Sequence, residues 1–274
     1  MLSRVEKLLD LPYYTEGPAV DPDGNLFFTT LSGKKIMMLQ PGVLRIWALG
    51  TCPNGQVILP NGEHWFCESS SGKITAYQPD GSLKKTIVEN FCAGIEFTTP
   101  NDLIVDSRGN LFFTDSIRAH GKVLFKGVDG TEKLIADEID YANGLCLNAS
   151  ENKLFVAESY GNRIIVLTLD EDYQVRDRKT FVQLPQHPSG DPIKNLPDGL
   201  AIDREDRVWV AHYGMAAVHV ISTAGEILYT IDTELPLTSN LTFIEDHADQ
   251  KVLLVTGGYG EPGPGAVLKL TVNF

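Results

Sequence analysis

Short apolar runs separated by turn-forming residues follow one another along the chain. In DLIVDSRGNLFFTD, residues 102–115, two runs rich in β-branched and aromatic side chains flank a turn that contains Gly and Asn. Such runs predict β-strands, and a short Gly-containing turn between two of them predicts a β-hairpin. The 3.6-residue apolar period of an amphipathic helix is hard to find in any segment. The pattern therefore predicts an all-β protein.

The hairpin recurs six times, and one polar residue stands at the beginning of each copy. These six residues, called the anchors, are Glu16, Asn54, Asn101, Asn143, Asp198 and Asn240. Successive anchors lie 38 to 55 residues apart, and two further strand-like runs follow each of the first five hairpins. Four strands per unit at this spacing are typical of a β-propeller blade.

The two ends of the chain complete the strand count. The last unit stops after three strands, at residues 268–274, whereas residues 4–10 supply one strand before the first hairpin. We predict that this first strand joins the last blade and closes the ring, which removes the open sheet edges. The sequence therefore predicts a six-bladed β-propeller of four-stranded blades, with residues 1–274 as a single domain. The alternatives, a β-sandwich or two smaller β domains, rarely repeat one unit this evenly.

Composition and charge narrow the possible partners. The 274 residues carry a net charge of -13 at pH 7, which argues against nucleic acid and anionic membranes as partners. The N-terminal residues 1–14 lack the apolar core of a signal peptide, and the four cysteines form no CxxC pair. We therefore expect a cytoplasmic monomer or small homo-oligomer with free thiols, whose partner is a small molecule.

The anchors converge on one mouth of the central channel, because the innermost strand of every propeller blade lines that channel. They comprise two carboxylates and four side-chain amides, without His or Cys. Ca²⁺ takes about six to eight oxygen ligands of this kind, and two carboxylates roughly neutralise a divalent ion. The absence of His and Cys from the set argues against zinc or copper. The alternative is that Asn and Asp are only favourable turn residues before a strand.

The chain resembles the SMP-30/gluconolactonase/LRE family of regucalcin-like lactonases, and within it the bacterial gluconolactonase-like branch. The motifs that carry the resemblance occur in the family's order over nearly the whole chain. They are EGP at 16–18, PND at 100–102, FFTD at 112–115, NGL at 143–145 and PDGLAID at 197–203. The resemblance implies a six-bladed propeller with a divalent cation, usually Ca²⁺, at the channel mouth. Mg²⁺, Mn²⁺ and Zn²⁺ are the alternative ions.

Residue roles follow from the resemblance. It implies that Glu16, Asn143 and Asp198 are metal ligands, and that Asn101 is either a fourth ligand or a substrate-orienting residue. Asp198 would also be the general base or nucleophile, because a carboxylate beside the metal can take the proton of the attacking water. The implied function is hydrolysis of the ester bond of a small sugar-acid or related lactone.

One departure from the family concerns the substrate. Eukaryotic aldonolactonases carry an Arg that helps to hold the sugar, and Thr99 stands at that place here. The departure argues against a strongly polar aldonolactone. The diisopropylfluorophosphatase-like branch shares the Glu/Asn/Asn/Asp arrangement, so organophosphate hydrolysis is one alternative. A non-catalytic calcium-binding or scaffold propeller is the other.

Further residues are candidates for contact with the substrate. The ends of the second strands, about fourteen residues beyond each anchor, are expected to return to the same mouth. Among them we favour Asp115 and His212, although a buried strand-end histidine satisfied by the backbone would look the same. The full predicted set is Asn54, Thr99, Asn101, Asp102, Asp115, His212 and Asn240. Residues 186–198, an insert where the anchor spacing is longest, form either a lid or a longer surface loop.

Overall fold

Six antiparallel sheets surround a central channel in the computed structural model, which describes residues 1–274. The first strand, β1 (Leu2–Leu11), belongs to the sixth blade. Blade 1 contains β2 (Thr15–Val20), β3 (Leu26–Thr30), β4 (Lys35–Gln40) and β5 (Val43–Leu49). Blade 2 contains β6 (Pro53–Ile58), β7 (His64–Glu68), β8 (Lys73–Tyr77), β9 (Leu83–Glu89) and the short strands β10 (Phe91–Cys92) and β11 (Ile95–Glu96).

The other four blades repeat the same order from the channel outwards. Blade 3 contains β12 (Pro100–Val105), β13 (Leu111–Asp115), β14 (Gly121–Lys126) and β15 (Glu132–Ile139). Blade 4 contains β16 (Ala142–Leu147), β17 (Lys153–Glu158), β18 (Arg163–Leu169) and β19 (Val175–Gln183). Blade 5 contains β20 (Leu196–Ile202), β21 (Val208–Tyr213), β22 (Ala217–Ile221) and β23 (Ile227–Asp232). Blade 6 contains β24 (Leu237–Asp246), β25 (Gln250–Gly258) and β26 (Gly265–Asn273).

The predicted ring closure is confirmed. Strand β1 pairs antiparallel with β26, from Leu2 opposite Asn273 to Leu11 opposite Gly265, and forms the outer edge of the sixth blade. The innermost strands of adjoining blades pack against one another around the whole ring. The fold is therefore a six-bladed propeller of four-stranded blades. Blade 2 carries two additional short strands at its outer edge, and blade 6 obtains its fourth strand from β1. The only helix, the 3-10 turn Pro192–Lys194, is far too short to cross a membrane.

Aspartates at the start of the turns close several hairpins. The Asp106 Oδ1 atom accepts hydrogen bonds from the backbone N–H groups of Arg108, at 2.9 Å, and Asn110, at 2.8 Å. Asp21 and Asp203 hold the corresponding turns of blades 1 and 5 in the same way. An Asp side chain that bonds the backbone two residues ahead favours a turn, which explains why these sequences form hairpins. The apolar core lies between adjoining blades, as where Phe112 of blade 3 packs with Val156 of blade 4.

A glycine after the anchor lets neighbouring innermost strands approach closely. In blade 4 this residue is Gly144, where a Cβ atom would lie 2.3 Å from the backbone oxygen of Asp198 and 2.6 Å from the Cα atom of Gly199. Both obstacles are backbone atoms, so they cannot rotate away. The glycine thus fixes how closely the anchors of blades 4 and 5 approach each other.

Gly144→Ala is expected to destabilise the protein by about 1–3 kcal/mol, because the added methyl group must push two innermost strands apart. The midpoint of urea unfolding measures the effect. Gly260→Ala is the matched control, since a Cβ atom there meets nothing nearer than 3.3 Å. An unchanged midpoint for Gly144→Ala would show that the innermost strands have room to separate.

Candidate functional site

A cavity of about 460 Å³ opens where the innermost strands begin. Five of the six anchors line it, each from a different blade: Glu16, Asn54, Asn101, Asn143 and Asp198. A second depression of about 520 Å³ lies beside β1 and contains mainly apolar residues such as Leu8, Leu26 and Ile244, with no anchor. The channel mouth is therefore the place where polar, chemically competent side chains converge.

The sixth anchor, Asn240, does not line the cavity, and neither does Asp102. Their side chains meet across the channel, with the Asn240 Nδ2 atom 3.5 Å from the Asp102 Oδ2 atom, and both are buried. Asp102 also accepts a hydrogen bond from the N–H group of Leu103, and burial raises the pKa of Asp102 to about 6. The two side chains contact each other below the lining of this cavity, and their contact with a substrate stays a prediction.

Glu16 and Asp198 form a buried acidic pair. Burial, and then repulsion by Asp102, raises the pKa of Glu16 to about 8. Burial and the charges of Glu16 and Asp102 raise the pKa of Asp198 well above its usual range, opposed by a hydrogen bond from the Asn143 side chain. The hydrogen-bond donors to Glu16 are neutral, namely the Gly17 N–H group and the Tyr14 hydroxyl. Buried carboxylates without a cationic partner are costly, and a bound cation would relieve that cost.

Two anchor amides present carbonyl oxygens without a protein partner. The Nδ2 atoms of Asn54 and Asn143 each donate to a serine hydroxyl at 3.2 Å, from Ser69 and Ser159 respectively. Their Oδ1 atoms are buried and accept no hydrogen bond. Buried polar atoms are normally satisfied, so unpaired oxygens at this place fit a ligand that is a cation or a hydrogen-bond donor.

The donor set at the cavity fits a hard divalent cation. It consists of carboxylate and amide oxygens, which are the ligands that Ca²⁺ prefers. Nowhere in the chain do three or more His, Cys, Asp or Glu side chains form a metal cluster. A cation at this site would thus depend on the amide oxygens as well as on Glu16 and Asp198.

Asp115 and His212 do not line the cavity, and their contact with a substrate stays a prediction. Asp115 Oδ1 accepts hydrogen bonds from the backbone N–H groups of Thr98 and Thr99, at 3.1 and 2.7 Å, and Oδ2 lies 3.2 Å from Lys122 Nζ. The carboxylate holds the connection between blades 2 and 3. Thr99 is part of that connection and does not line the cavity either.

His212 is fully buried inside blade 5. Its Nδ1 atom lies 2.9 Å from the Nε2 atom of His219, and burial, with the nearby His219, lowers the pKa of His212 to about 3. Side chains alternate along a strand, which sends neighbouring residues to opposite faces. In blades 4 and 5 the residue one position after the predicted strand end lines the cavity, namely Ser159 and Tyr213.

Four tyrosines that sequence reasoning missed surround the cavity: Tyr14, Tyr141, Tyr160 and Tyr213. Two of them, Tyr14 and Tyr141, share one sequence signal, since each stands two residues before an anchor, just ahead of the innermost strand. At the rim, the Tyr213 hydroxyl donates to Glu261 Oε2 at 3.2 Å. Glu261 belongs to the loop between β25 and β26, which no repeat pattern describes.

The insert at residues 186–198 forms one wall of the cavity. Its 3-10 turn places Ile193 and Lys194 in the lining, and Lys194 is the only cationic side chain there. The turn is packed closely onto Gly214, whose φ is +86° and where a Cβ atom would lie 2.4 Å from the Cα atom of Lys194. Movement of this wall as a lid stays a prediction.

Comparison with known proteins relates the chain to gluconolactonases, both by its sequence and by its structure. The sequence pattern described as SMP-30/Gluconolactonase/LRE-like region matches residues 14–258. A gluconolactonase of Zymomonas mobilis is 27% identical over 192 residues, which are 64% of this chain and 52% of that protein. The chain thus spans about half the length of that relative.

Solved structures show the same architecture. A gluconolactonase of Xanthomonas campestris superposes with a TM-score of 0.82 at 27% identity, covering 98% of this chain and 89% of the other. A calcium-binding regucalcin of Agrobacterium tumefaciens has a TM-score of 0.75 at 18% identity, with 96% and 93% of the two chains covered. At that identity the second likeness concerns the fold alone.

Proposed function

Because the chain belongs to the SMP-30/gluconolactonase/LRE-like family, we propose that it is a divalent-metal-dependent hydrolase of small lactones, with Ca²⁺ as the expected ion. The observation that carries the proposal is the pair of buried carboxylates, Glu16 and Asp198, beside unpartnered amide oxygens in one cavity. The gluconolactonases among its relatives support the choice of substrate class.

The proposed ligands are Glu16, Asn143 and Asp198, with Asn101 as a fourth ligand or a substrate contact. A divalent ion bound there would polarise the ester carbonyl of a lactone. Asp198 would take the proton of the water that attacks the carbonyl carbon, and opening of the ring ester then yields a hydroxy acid. Glu16 is the less suitable base because its two oxygens already face the Gly17 N–H group and the Tyr14 hydroxyl.

The walls of the cavity suit a small ring with both apolar and hydroxyl-bearing faces. The tyrosine rings combine an apolar face with a hydroxyl group, and Leu31 and Leu237 add apolar surface. Lys194 supplies the single positive charge of the wall. These features support a sugar-acid or related lactone, without the Arg that would hold a strongly polar sugar at position 99.

Organophosphate hydrolysis is the second candidate function. The observation that favours it is that Glu16, Asn101, Asn143 and Asp198 all line the cavity, as a shared Glu/Asn/Asn/Asp arrangement requires. A bound ion would polarise a phosphoryl oxygen as readily as a carbonyl oxygen. Only a substrate comparison separates the two reactions.

Hydrolysis of at least one lactone in a panel is expected to fall at least about 100-fold after treatment with a chelator and to return when Ca²⁺ is added back. Acid release, followed with a pH indicator, measures the reaction, and diisopropyl fluorophosphate is included beside the lactones. Turnover that is insensitive to the chelator would contradict metal dependence. Calcium binding by calorimetry without turnover of any substrate would instead favour a non-catalytic calcium-binding protein.

A further inference from the structure

We propose that Ser69 and Ser159 are positioning residues that determine which end of the Asn54 and Asn143 amides faces the cavity. The inference rests on the proposed function, since it concerns the oxygens that a cation would use. It also makes Asn54, from blade 2, an oxygen donor equivalent to Asn143.

The argument begins with the single hydrogen of a serine hydroxyl. Ser159 Oγ donates it to the backbone oxygen of Pro197 at 2.8 Å, and Ser69 Oγ donates to the backbone oxygen of Pro100 at 2.6 Å. A carbonyl oxygen only accepts hydrogen bonds. The hydroxyl has therefore no hydrogen left for the amide, and it can only accept one.

The amide must accordingly turn its NH₂ group towards the serine. This is the contact observed, with Nδ2 to Oγ distances of 3.2 Å for both pairs. The carbonyl oxygens Oδ1 are then left on the opposite side, buried and without a protein partner. The two serines thus impose one polarity on two amides in different blades.

The surroundings of these amides are acidic, and the Asn143 side chain also donates a hydrogen bond towards the Asp198 carboxylate. Near the Glu16 and Asp198 carboxylates, a freely rotating amide would direct its NH₂ group at the negative charge. Serine holds one hydrogen of that group and keeps the oxygen unpaired. An unpaired amide oxygen beside two acids suits a positively charged ligand, so the arrangement favours the binding of a cation.

Blade 3 contains the same serine without the same consequence. Ser116 occupies the matching position and donates to the backbone oxygen of Ala142, as its counterparts do to the prolines. Asn101 forms no hydrogen bond with Ser116, so this serine does not orient the anchor amide of its blade. Ser116 therefore separates the two roles of the serine, which are linking adjacent blades and orienting an anchor.

The test measures binding of Tb³⁺, by its luminescence, and of Ca²⁺, by calorimetry. Ser159→Ala is expected to weaken binding about 10- to 100-fold, because the amide is freed to present its NH₂ group. Ser116→Ala loses an equivalent link between blades and is expected to change the dissociation constant less than about twofold. An equal loss of affinity in both variants would overturn the proposal, because the loss would then come from the broken hydrogen bond between adjacent blades and not from the orientation of the amide.

The same Ser159→Ala substitution made in an Asn143→Asp variant distinguishes a loss of amide orientation from a general disturbance of the site. In Asn143→Asp both ends of the side chain are oxygens, so Ser159→Ala is expected to cause no loss of affinity there. A similar loss in both backgrounds would contradict the role in orientation. Failure of the unsubstituted protein to bind either ion would count against the metal site of the proposed function.

The orientation itself is checked without metal. A nuclear Overhauser effect between the Asn143 Nδ2 hydrogens and the Ser159 Hβ atoms is expected in the unsubstituted protein. Its absence would overturn the inference independently of cation binding.

Discussion

Asp198→Asn is expected to reduce kcat/KM for lactone hydrolysis by about 10³-fold with little change in fold. An amide cannot take the proton of the attacking water, and a positioned general base contributes about 10²- to 10⁴-fold. The substitution also removes one of the two carboxylates among the five anchors that line the cavity. Steady-state kinetics at saturating Ca²⁺, beside a circular dichroism melting curve, measure the two effects separately.

Asp115→Asn provides the matched control. It also replaces a buried carboxylate by an amide, but this carboxylate holds backbone N–H groups and does not reach the cavity. We expect its kcat/KM to stay within about threefold of the unsubstituted protein and its melting temperature to fall, since buried hydrogen bonds to a charged group are lost. Equal losses of activity in the two variants would contradict the assignment of Asp198 as the base.

The two substitutions are expected to change the melting temperature in opposite directions. Burial and the charges of Glu16 and Asp102 raise the pKa of Asp198, so the folded protein disfavours its ionised form. Removing this charge in chelated protein should leave the melting temperature unchanged or raise it. Such a gain in stability with a loss of activity is typical of a functional carboxylate.

The fold was predictable because it is repeated. Each hairpin alone is an ordinary β signal, but six copies with four strands each leave few closed arrangements. The strand missing from the last unit and the extra strand before the first one also indicated the closure between β1 and β26, which the structure confirms. The anchors could be aligned for the same reason, since equivalent positions of a closed ring must converge.

The rest of the site depends on details that the repeat does not contain. In blade 5 the cavity is lined by Tyr213 and not by the neighbouring His212, and a shift of one residue reverses the face of a strand. The wall from residues 186–198 and the rim at Glu261 come from irregular loops, whose path follows local packing such as the contact with Gly214. The orientation of the Asn143 amide can be deduced only when the hydrogen bond from Ser159 to the backbone oxygen of Pro197 in the next blade is known.

Deletion of residues 1–11 is expected to abolish the cooperative thermal unfolding transition. It removes every residue pair between β1 and β26, and Leu11, which packs with Phe28 and Val267. Each lost backbone hydrogen bond costs about 0.5–1.5 kcal/mol, and the sum is comparable with the stability of a whole domain. The exposed edge of β26 also becomes a site for pairing between chains. Circular dichroism and light scattering measure both consequences.

Moving β1 to the C-terminus of the truncated chain tests whether the loss of ring closure, and not the loss of eleven residues as such, causes the effect. Leu2 lies opposite Asn273. A short hairpin turn placed after Phe274 can therefore lead directly into residues 2–11, attached at the end of the truncated chain. This addition is expected to restore the transition in the truncated chain and to suppress aggregation. Deletion of residues 1–3 alone removes only the exposed end of β1 and should have little effect. If the truncated chain melts like the full one, or the relocated strand fails to rescue it, closure of the ring is not what holds the six blades together.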